Sequence, residues 1–317
     1  MRVLLLGADG YLGSHVAAAL RALPGTDVRT AGRRAVHDVP LDLGSTQLPA
    51  LMADLAALAP DAVVNCAGAV SGSALHLAEV NARGPALLCD AMLAATPGAR
   101  LVHLGSAGEY GVCEGGTSLD EQAALRPVGA YGATKLAGSL TVAGSPLEAV
   151  VLRVFNPIGP GAPAGSLPGR LARELHRAGP DGTVQVGDLS AHRDFVDVRD
   201  VARAVALATT AAGPLPRVLN IAGGRARPVR DVAEGLAAAA GFRGAIDETA
   251  AGSERSAGVS WQQADITAAA DALGWRPTVS FGTTLADLWA AVAAPATGAS
   301  AADGTSAVSS RERVSAR

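Results

Sequence analysis

Val3-Leu4-Leu5-Leu6-Gly7-Ala8-Asp9-Gly10-Tyr11-Leu12-Gly13-Ser14-His15 is the stretch on which the reading of this chain turns. Four apolar residues make a short strand, the glycines a tight turn, and the alanine-rich run to about residue 23 a helix. In such a unit Gly7 permits the turn, and Gly10 lets backbone N–H groups approach a pyrophosphate. Gly13 lets helix and strand pack closely, with the helix N-terminus facing the anion. The spacing is G-x-x-G-x-x-G, one residue longer in its first interval than the usual dinucleotide fingerprint, so position carries the argument. At the first strand–helix junction, with another strand directly after, it points to a nucleotide-binding α/β unit.

Outward from there, strands alternate with helices. A second strand over 27–31 ends in Gly32-Arg33-Arg34. A free ribose 2′-OH calls for an acidic residue at that tip and a 2′-phosphate is served by Arg, so the two arginines favour NADP over NAD. A third strand is expected over 36–42 with Asp42 at its end, then a helix over 47–59. A strand over 62–65 follows, and Cys66-Ala67-Gly68 turns near where a nicotinamide would lie. A long helix is expected over 73–95, a strand over 101–105, the loop Ser106-Ala107-Gly108-Glu109-Tyr110-Gly111, a helix over 129–143 and a strand over 147–155. This alternation predicts an α/β fold with a doubly wound parallel sheet spanning 1–155. Past Asn156-Pro157-Ile158-Gly159-Pro160-Gly161 the segments are shorter and more mixed. Helices are expected over 167–178, 199–210, 229–240 and 283–294, and strands over 183–186, 193–198 and 217–221. A smaller mixed α/β substrate lobe is expected from 156–189 and 223–294, with 190–222 returning to the first domain. The Ala/Gly/Ser/Thr-rich stretch 295–317 has no apolar period and reads as a disordered tail.

With 317 residues, 49% of them hydrophobic, the chain can bury a full core. A formal net charge of -3 without a Lys/Arg block argues against nucleic acid or an anionic membrane as partner. The N-terminal apolar run is broken at once by glycines, unlike a signal peptide or a span, and a cytoplasmic location is expected. Cys66, Cys89 and Cys113 lack paired spacing, and the six histidines show no metal-ligand spacing, so free thiols and no metal are expected.

The 26 basic residues comprise 25 arginines and one lysine, Lys135, within Tyr131-Gly132-Ala133-Thr134-Lys135. Arg is a fixed planar fork, whereas Lys is a compact donor whose pKa can move, so a site needing the latter cannot use the former. On a helix Tyr131 and Lys135 share one face at i and i+4. A cation beside a phenol lowers its pKa toward the range of a working general acid. By itself the pair could be chance on a solvated face.

Together these residues resemble the extended short-chain dehydrogenase/reductase (epimerase/dehydratase) family over roughly residues 1 to 294. The resemblance implies a Rossmann-type domain and a catalytic set of Ser106, Tyr131 and Lys135, Ser106 standing four residues ahead of Tyr110-Gly111. It implies cofactor contacts from Gly7, Gly10, Tyr11, Leu12, Gly13, Arg33, Arg34, Asp42, Leu43, Cys66, Ala67, Gly68, Tyr131 and Lys135, and places Asn81 behind the site. Substrate contacts are implied for Ser106, Asn156, Arg193 and Arg255. A homodimer through the helices around 73–95 and 129–143 is implied as well. Family 4,6-dehydratases carry an acid pair directly after the Ser/Thr. Ala107 and Gly108 stand there, which disfavours dehydration. The stretches 105–111, 153–161 and 186–200 are similar to GDP-4-keto-6-deoxymannose reductases. The leading expectation is therefore NADPH-dependent reduction of a keto group on a nucleotide-linked 4-keto-6-deoxy sugar, with NAD possible. The alternatives are a sugar-nucleotide epimerase that retains its cofactor and a ketoreductase of a non-sugar natural-product ketone.

Overall fold

The computed structural model describes residues 1–249 and 258–294. Strand β1 (Arg2–Leu6) lies inside a seven-stranded parallel sheet, between β4 and β2, and alternates its side chains between two cores. Val3 and Leu5 face one layer and Leu4 and Leu6 the other, all at most 1% exposed. The first layer is α1 (Tyr11–Arg21) and α7 (Val198–Thr210), the second α2 (Leu48–Leu58), α4 (Gly84–Ala95) and α5 (Gly129–Gly144). Strands buried on both faces read as near-continuous apolar runs. This is why β4 (Ala62–Asn65), β5 (Arg100–Ser106) and β6 (Ala149–Val154) are visible in the sequence.

With β2 (Asp27–Gly32), β3 (Val39–Pro40) and β11 (Val218–Ile221), the strand order is β11-β6-β5-β4-β1-β2-β3. The order reverses between β1 and β4, the crevice where doubly wound sheets bind their ligands. The fold is Rossmann-like α/β.

A further core lies outside the sheet. It joins α6 (Leu167–Ala178), α8 (Arg230–Ala240) and α10 (Phe281–Ala293) over Ile158, Val184 and Val186. Three two-stranded ladders accompany it. β7 (Pro157–Ile158) pairs with β10 (Val196–Asp197), β8 (Thr183–Gln185) with β13 (Ala245–Asp247), and β9 (His192–Asp194) with β12 (Ala226–Pro228).

Several expected elements differ. The strand over 36–42 shrinks to β3. Asp38 accepts bonds from the Thr30 N–H (2.8 Å) and hydroxyl (3.1 Å), which holds 34–38 as a turn, and Pro40 lacks a ladder donor. The helix over 73–95 is α3 (Ala74–Ala78), a π-helical turn over Glu79–Arg83 and α4. The strand over 193–198 divides at Phe195 into β9 and β10, which pair with different partners. α9 (Thr267–Leu273), β12 and β13 were not expected. Arg255 and the tail over 295–317 lie outside the described residues. No helix among those described is long and apolar enough to cross a membrane.

Candidate active site

The turn after β1 and the turn after β4 meet at the switch point. Gly7 has φ +78°, and a Cβ on it would lie 2.7 Å from Ala67 N, so only glycine lets the two turns touch. Gly10 N–H closes the first turn on Gly7 O (3.0 Å), and α1 begins at Tyr11 with no side-chain cap. The first-turn amides of Tyr11, Leu12 and Gly13 thus form the positive end of a helix available to an anion. Tyr11 also points across the cleft. Its hydroxyl donates to Gly159 O (3.4 Å), and burial and the charge of Asp197 hold its pKa above the phenol range.

The Cys66-Ala67-Gly68 turn is fixed from beneath. Asn65 Oδ1 accepts from Ala67 N (3.1 Å), and the π-helical turn presents buried Asn81 to Ala69. Asn81 Nδ2 donates to Ala69 O (2.8 Å) while its Oδ1 accepts from Ala69 N (2.9 Å). π-turns recur at functional sites because the extra residue re-aims a side chain. Gly68 faces both Asn81 and Lys135, whose Nζ lies 3.9 Å from where a Gly68 Cβ would be. Burial pushes the Cys66 thiol up to about 12, so it is no nucleophile at neutral pH.

Ser106 and Tyr131 come together. The Tyr131 hydroxyl donates to Ser106 Oγ (3.3 Å), which also accepts from Gly108 N–H (3.1 Å). Two accepted bonds use both lone pairs of Ser106 and leave its own O–H to donate elsewhere. Close helix approach makes this geometry possible, since a Cβ on Gly132 would sit 2.6 Å from Gly108 O. Lys135 is buried one turn on and donates from Nζ to Leu104 O (2.6 Å). Burial holds its pKa below the usual ammonium value, and the charge of Glu109 opposes that shift.

Glu109 has a structural task. Its Oε1 accepts from Ser106 N–H (2.8 Å) and Ser139 Oγ (2.7 Å), and its Oε2 accepts from Arg153 Nε (2.9 Å). Both members of that ion pair are at most 3% exposed. Arg153 Nη1 continues to the Tyr110 hydroxyl (3.0 Å), which donates to Asn220 Oδ1 (2.7 Å). Tyr110 is thus a core residue, and Ala107 and Gly108 present no acid beside Ser106.

At the mouth, Asn156 is one of two non-glycine residues with positive φ among those described, at +28°. Its amide donates to Asp194 O (3.0 Å) and faces Gln262 Oε1 (3.4 Å), while Gln262 Nε2 donates to Ala107 O (3.2 Å). Backbone strain of this kind persists where the surroundings over-determine it, often at ligand sites. Gln262 ties the Ser106 turn to Asn156 and went unnoticed in the sequence, where a single glutamine carries no signal. Arg193 is buried, with its guanidinium donating only to the carbonyls of His192 (2.8 Å) and Val259 (2.6 Å) among the described residues. Burial lowers its pKa. Buried guanidinium without a carboxylate partner suits an anionic ligand.

At the far end Asp42 caps its own turn, Oδ1 accepting from Gly44 N–H (3.1 Å), and Leu43 is buried against Gly84 of α4. Arg34 is not free at the β2 tip, because its Nε donates to Asp9 Oδ2 (2.7 Å). Arg33 lies exposed beside it. No cluster of three His, Cys, Asp or Glu among the described residues is placed to hold a metal.

The chain as a whole matches a known family of proteins. The model of the NAD dependent epimerase/dehydratase family matches residues 3–222, and the chain belongs to that family. It is 35% identical over 304 residues to dTDP-6-deoxy-L-talose 4-dehydrogenase (NAD(P)(+)) of Kitasatospora kifunensis, covering 92% of this chain and 95% of that protein. It is 30% identical over 250 residues to GDP-6-deoxy-D-mannose reductase of Pseudomonas aeruginosa, covering 74% and 79%. A solved structure of MoeE5 with UDP-glucose and NAD superposes with a TM-score of 0.78 at 28% identity, over 92% of this chain and 98% of that one. These likenesses place the chain among the NAD(P)-dependent oxidoreductases.

Proposed function

We propose that the protein interconverts a 4-keto and a 4-hydroxyl group on a nucleotide-linked 6-deoxy sugar, with NAD(P)(H) as hydride carrier and reduction as the working direction. The observation that carries this reading is the Tyr131–Ser106 hydrogen bond with buried Lys135 one helical turn away. The uncapped start of α1, with the Gly7 and Cys66–Gly68 turns in contact, fits a dinucleotide laid across the switch point. Bound there, the cofactor supplies or accepts the hydride. Tyr131 gives its proton to the carbonyl oxygen and Ser106 donates its remaining O–H to the same oxygen as charge develops. Lys135, one donor held by Leu104 O, keeps its other N–H groups for the nicotinamide ribose and favours phenolate on Tyr131. Asn156, Gln262 and Arg193 line the side toward the sugar and its diphosphate. The separate core around α6, α8 and α10 is assigned to the substrate lobe.

The bare wall at Ala107 and Gly108 argues against elimination chemistry, since neither residue next to Ser106 can move a proton. The relatives of stated activity act on dTDP- and GDP-linked 6-deoxy sugars. Exposed Leu75 and Leu140 sit on the elements proposed to pair two copies.

Nicotinamide absorbance decides the reaction, followed with NADPH or NADH against dTDP- and GDP-linked 4-keto-6-deoxyhexoses. Stoichiometric cofactor loss is expected. Conversion of the sugar to an isomer without net loss would replace this reading with an epimerase, and no turnover of any sugar nucleotide would move the substrate to other ketones. Tyr131→Phe is expected to keep cofactor binding and lose about 10²–10⁴-fold in kcat.

A further inference from the structure

The tip of β2 carries two arginines, yet the geometry does not leave both for a phosphate. Asp9, in the middle of the glycine turn, grips Arg34 with both carboxylate oxygens. Oδ2 accepts from Nε (2.7 Å), and Oδ1 pairs with Nη2. His37 Nε2 lies 2.7 Å from Asp9 Oδ2, and its Nδ1 lies 3.2 Å from Thr30 Oγ1 of β2. The imidazole fills the space over Gly32, since a Cβ there would lie 2.5 Å from it. Asp9 is therefore held between the turn that faces the pyrophosphate and the strand tip that faces the adenosine ribose, and its side chain stays 39% exposed. Its hydrogen bond with Arg34 holds its pKa down at about 2, so it remains a carboxylate at any working pH.

A carboxylate at this place does two things. It repels a 2′-phosphate and occupies the guanidinium fork that would otherwise bind it, and it offers an acceptor to a free 2′-OH. The acidic residue missing from the end of β2 is thus supplied by the neighbouring turn. We propose that Asp9 sets cofactor choice, withholding Arg34 from a 2′-phosphate and accepting a 2′-hydroxyl, so that the cleft takes NAD(H) as well as NADP(H). Arg33 alone then serves the phosphate. The inference rests on the dinucleotide reading of the preceding section and concerns binding, not turnover.

Dissociation constants of NADPH and NADH, measured by calorimetry on the full chain without sugar substrate, test it. In Asp9→Asn the ratio Kd(NADH)/Kd(NADPH) is expected to rise at least tenfold over the original chain. A ratio within twofold of the original would overturn the inference while leaving the dinucleotide reading intact. Arg34→Gln provides the independent arm. In the Asp9→Asn background it is expected to weaken NADPH binding more than fivefold and to leave NADH within twofold. An NADPH loss no larger than the NADH loss would show that the freed guanidinium takes up no phosphate and would overturn the proposal. If Asp9→Asn does not fold, Asp9→Ser is measured in its place, with the same outcomes. Failure of the original chain to bind either nucleotide would overturn both this inference and the reading beneath it.

Discussion

Replacing Arg153 with methionine keeps most of the side-chain volume and removes the cation from a closed network. Glu109 would keep the Ser106 amide and the Ser139 hydroxyl as donors but lose the 2.9 Å bond from Arg153 Nε, and Tyr110 would lose its 3.0 Å partner. The carboxylate is fully buried, so water cannot replace what is lost. Removing one partner of a buried pair costs about 3–5 kcal/mol, because the remaining charge is left without its ion-pair partner. At roughly 1.5 °C per kcal/mol in a protein of 317 residues, Tm should fall by about 4–8 °C. The cost should belong to the stranded charge, so adding Glu109→Gln to Arg153→Met is expected to recover about half or more of the loss, because an amide oxygen still accepts from Ser106 N–H. Thermal unfolding followed by circular dichroism, with urea unfolding beside it, checks both numbers. A Tm loss under about 2 °C for Arg153→Met, or a double variant no more stable than the single one, would refute the reasoning that this pair is held by desolvated charge.

Other positions give separable outcomes. Asn81→Ala removes both bonds to the Ala69 backbone and should cost about 1–3 kcal/mol in urea unfolding while weakening NADPH binding several-fold by calorimetry. Gly132→Ala places a methyl 2.6 Å from Gly108 O, so α5 and the Ser106 turn must separate. A displacement near 1 Å predicts roughly 10²-fold loss in kcat with cofactor affinity kept, read from steady-state kinetics and nucleotide titration. Burial raises the Asp194 pKa from its ordinary 3.8 to about 6, against the backbone N–H bonds that lower it. The folded state therefore binds this proton more tightly than the unfolded one, and the contribution of Asp194 to stability is favourable below about pH 4 and is lost as pH rises toward 6. Relative to Asp194→Asn, the original chain should lose about 2–3 kcal/mol of unfolding free energy across that window in urea titrations at each pH.

The sheet was legible because β1, β4, β5 and β6 are covered on both faces and so are written as mostly apolar runs, broken only inside β5 by His103 and inside β6 by Arg153. Ser106, Tyr131 and Lys135 were legible because family motifs fix their spacing, and the structure places the first two in hydrogen-bond contact. What escaped the sequence depends on partners far along the chain. The π-turn presents Asn81 to the backbone of Ala69, 12 residues earlier. β12 and β13 are three residues each and are defined by pairing with β9 and β8. Arg34 read as a free cation because nothing local shows that Asp9, 25 residues earlier, holds it. One local signal was present and unused. Ser106-Ala107-Gly108-Glu109 is a capping box, S-x-x-E, and would have assigned Glu109 to the Ser106 backbone.

Strand β6 is paired on one side by β5 and on the other by β11, which begins about 65 residues later in the chain. During synthesis at roughly 5–20 residues per second, β6 waits about 3–13 s for that neighbour. Through this interval six residues that end up buried, five of them apolar, present an unpaired edge. Chains that stop before Val218 should therefore collect as aggregates, even though every residue of the Ser106, Tyr131 and Lys135 set has already been made.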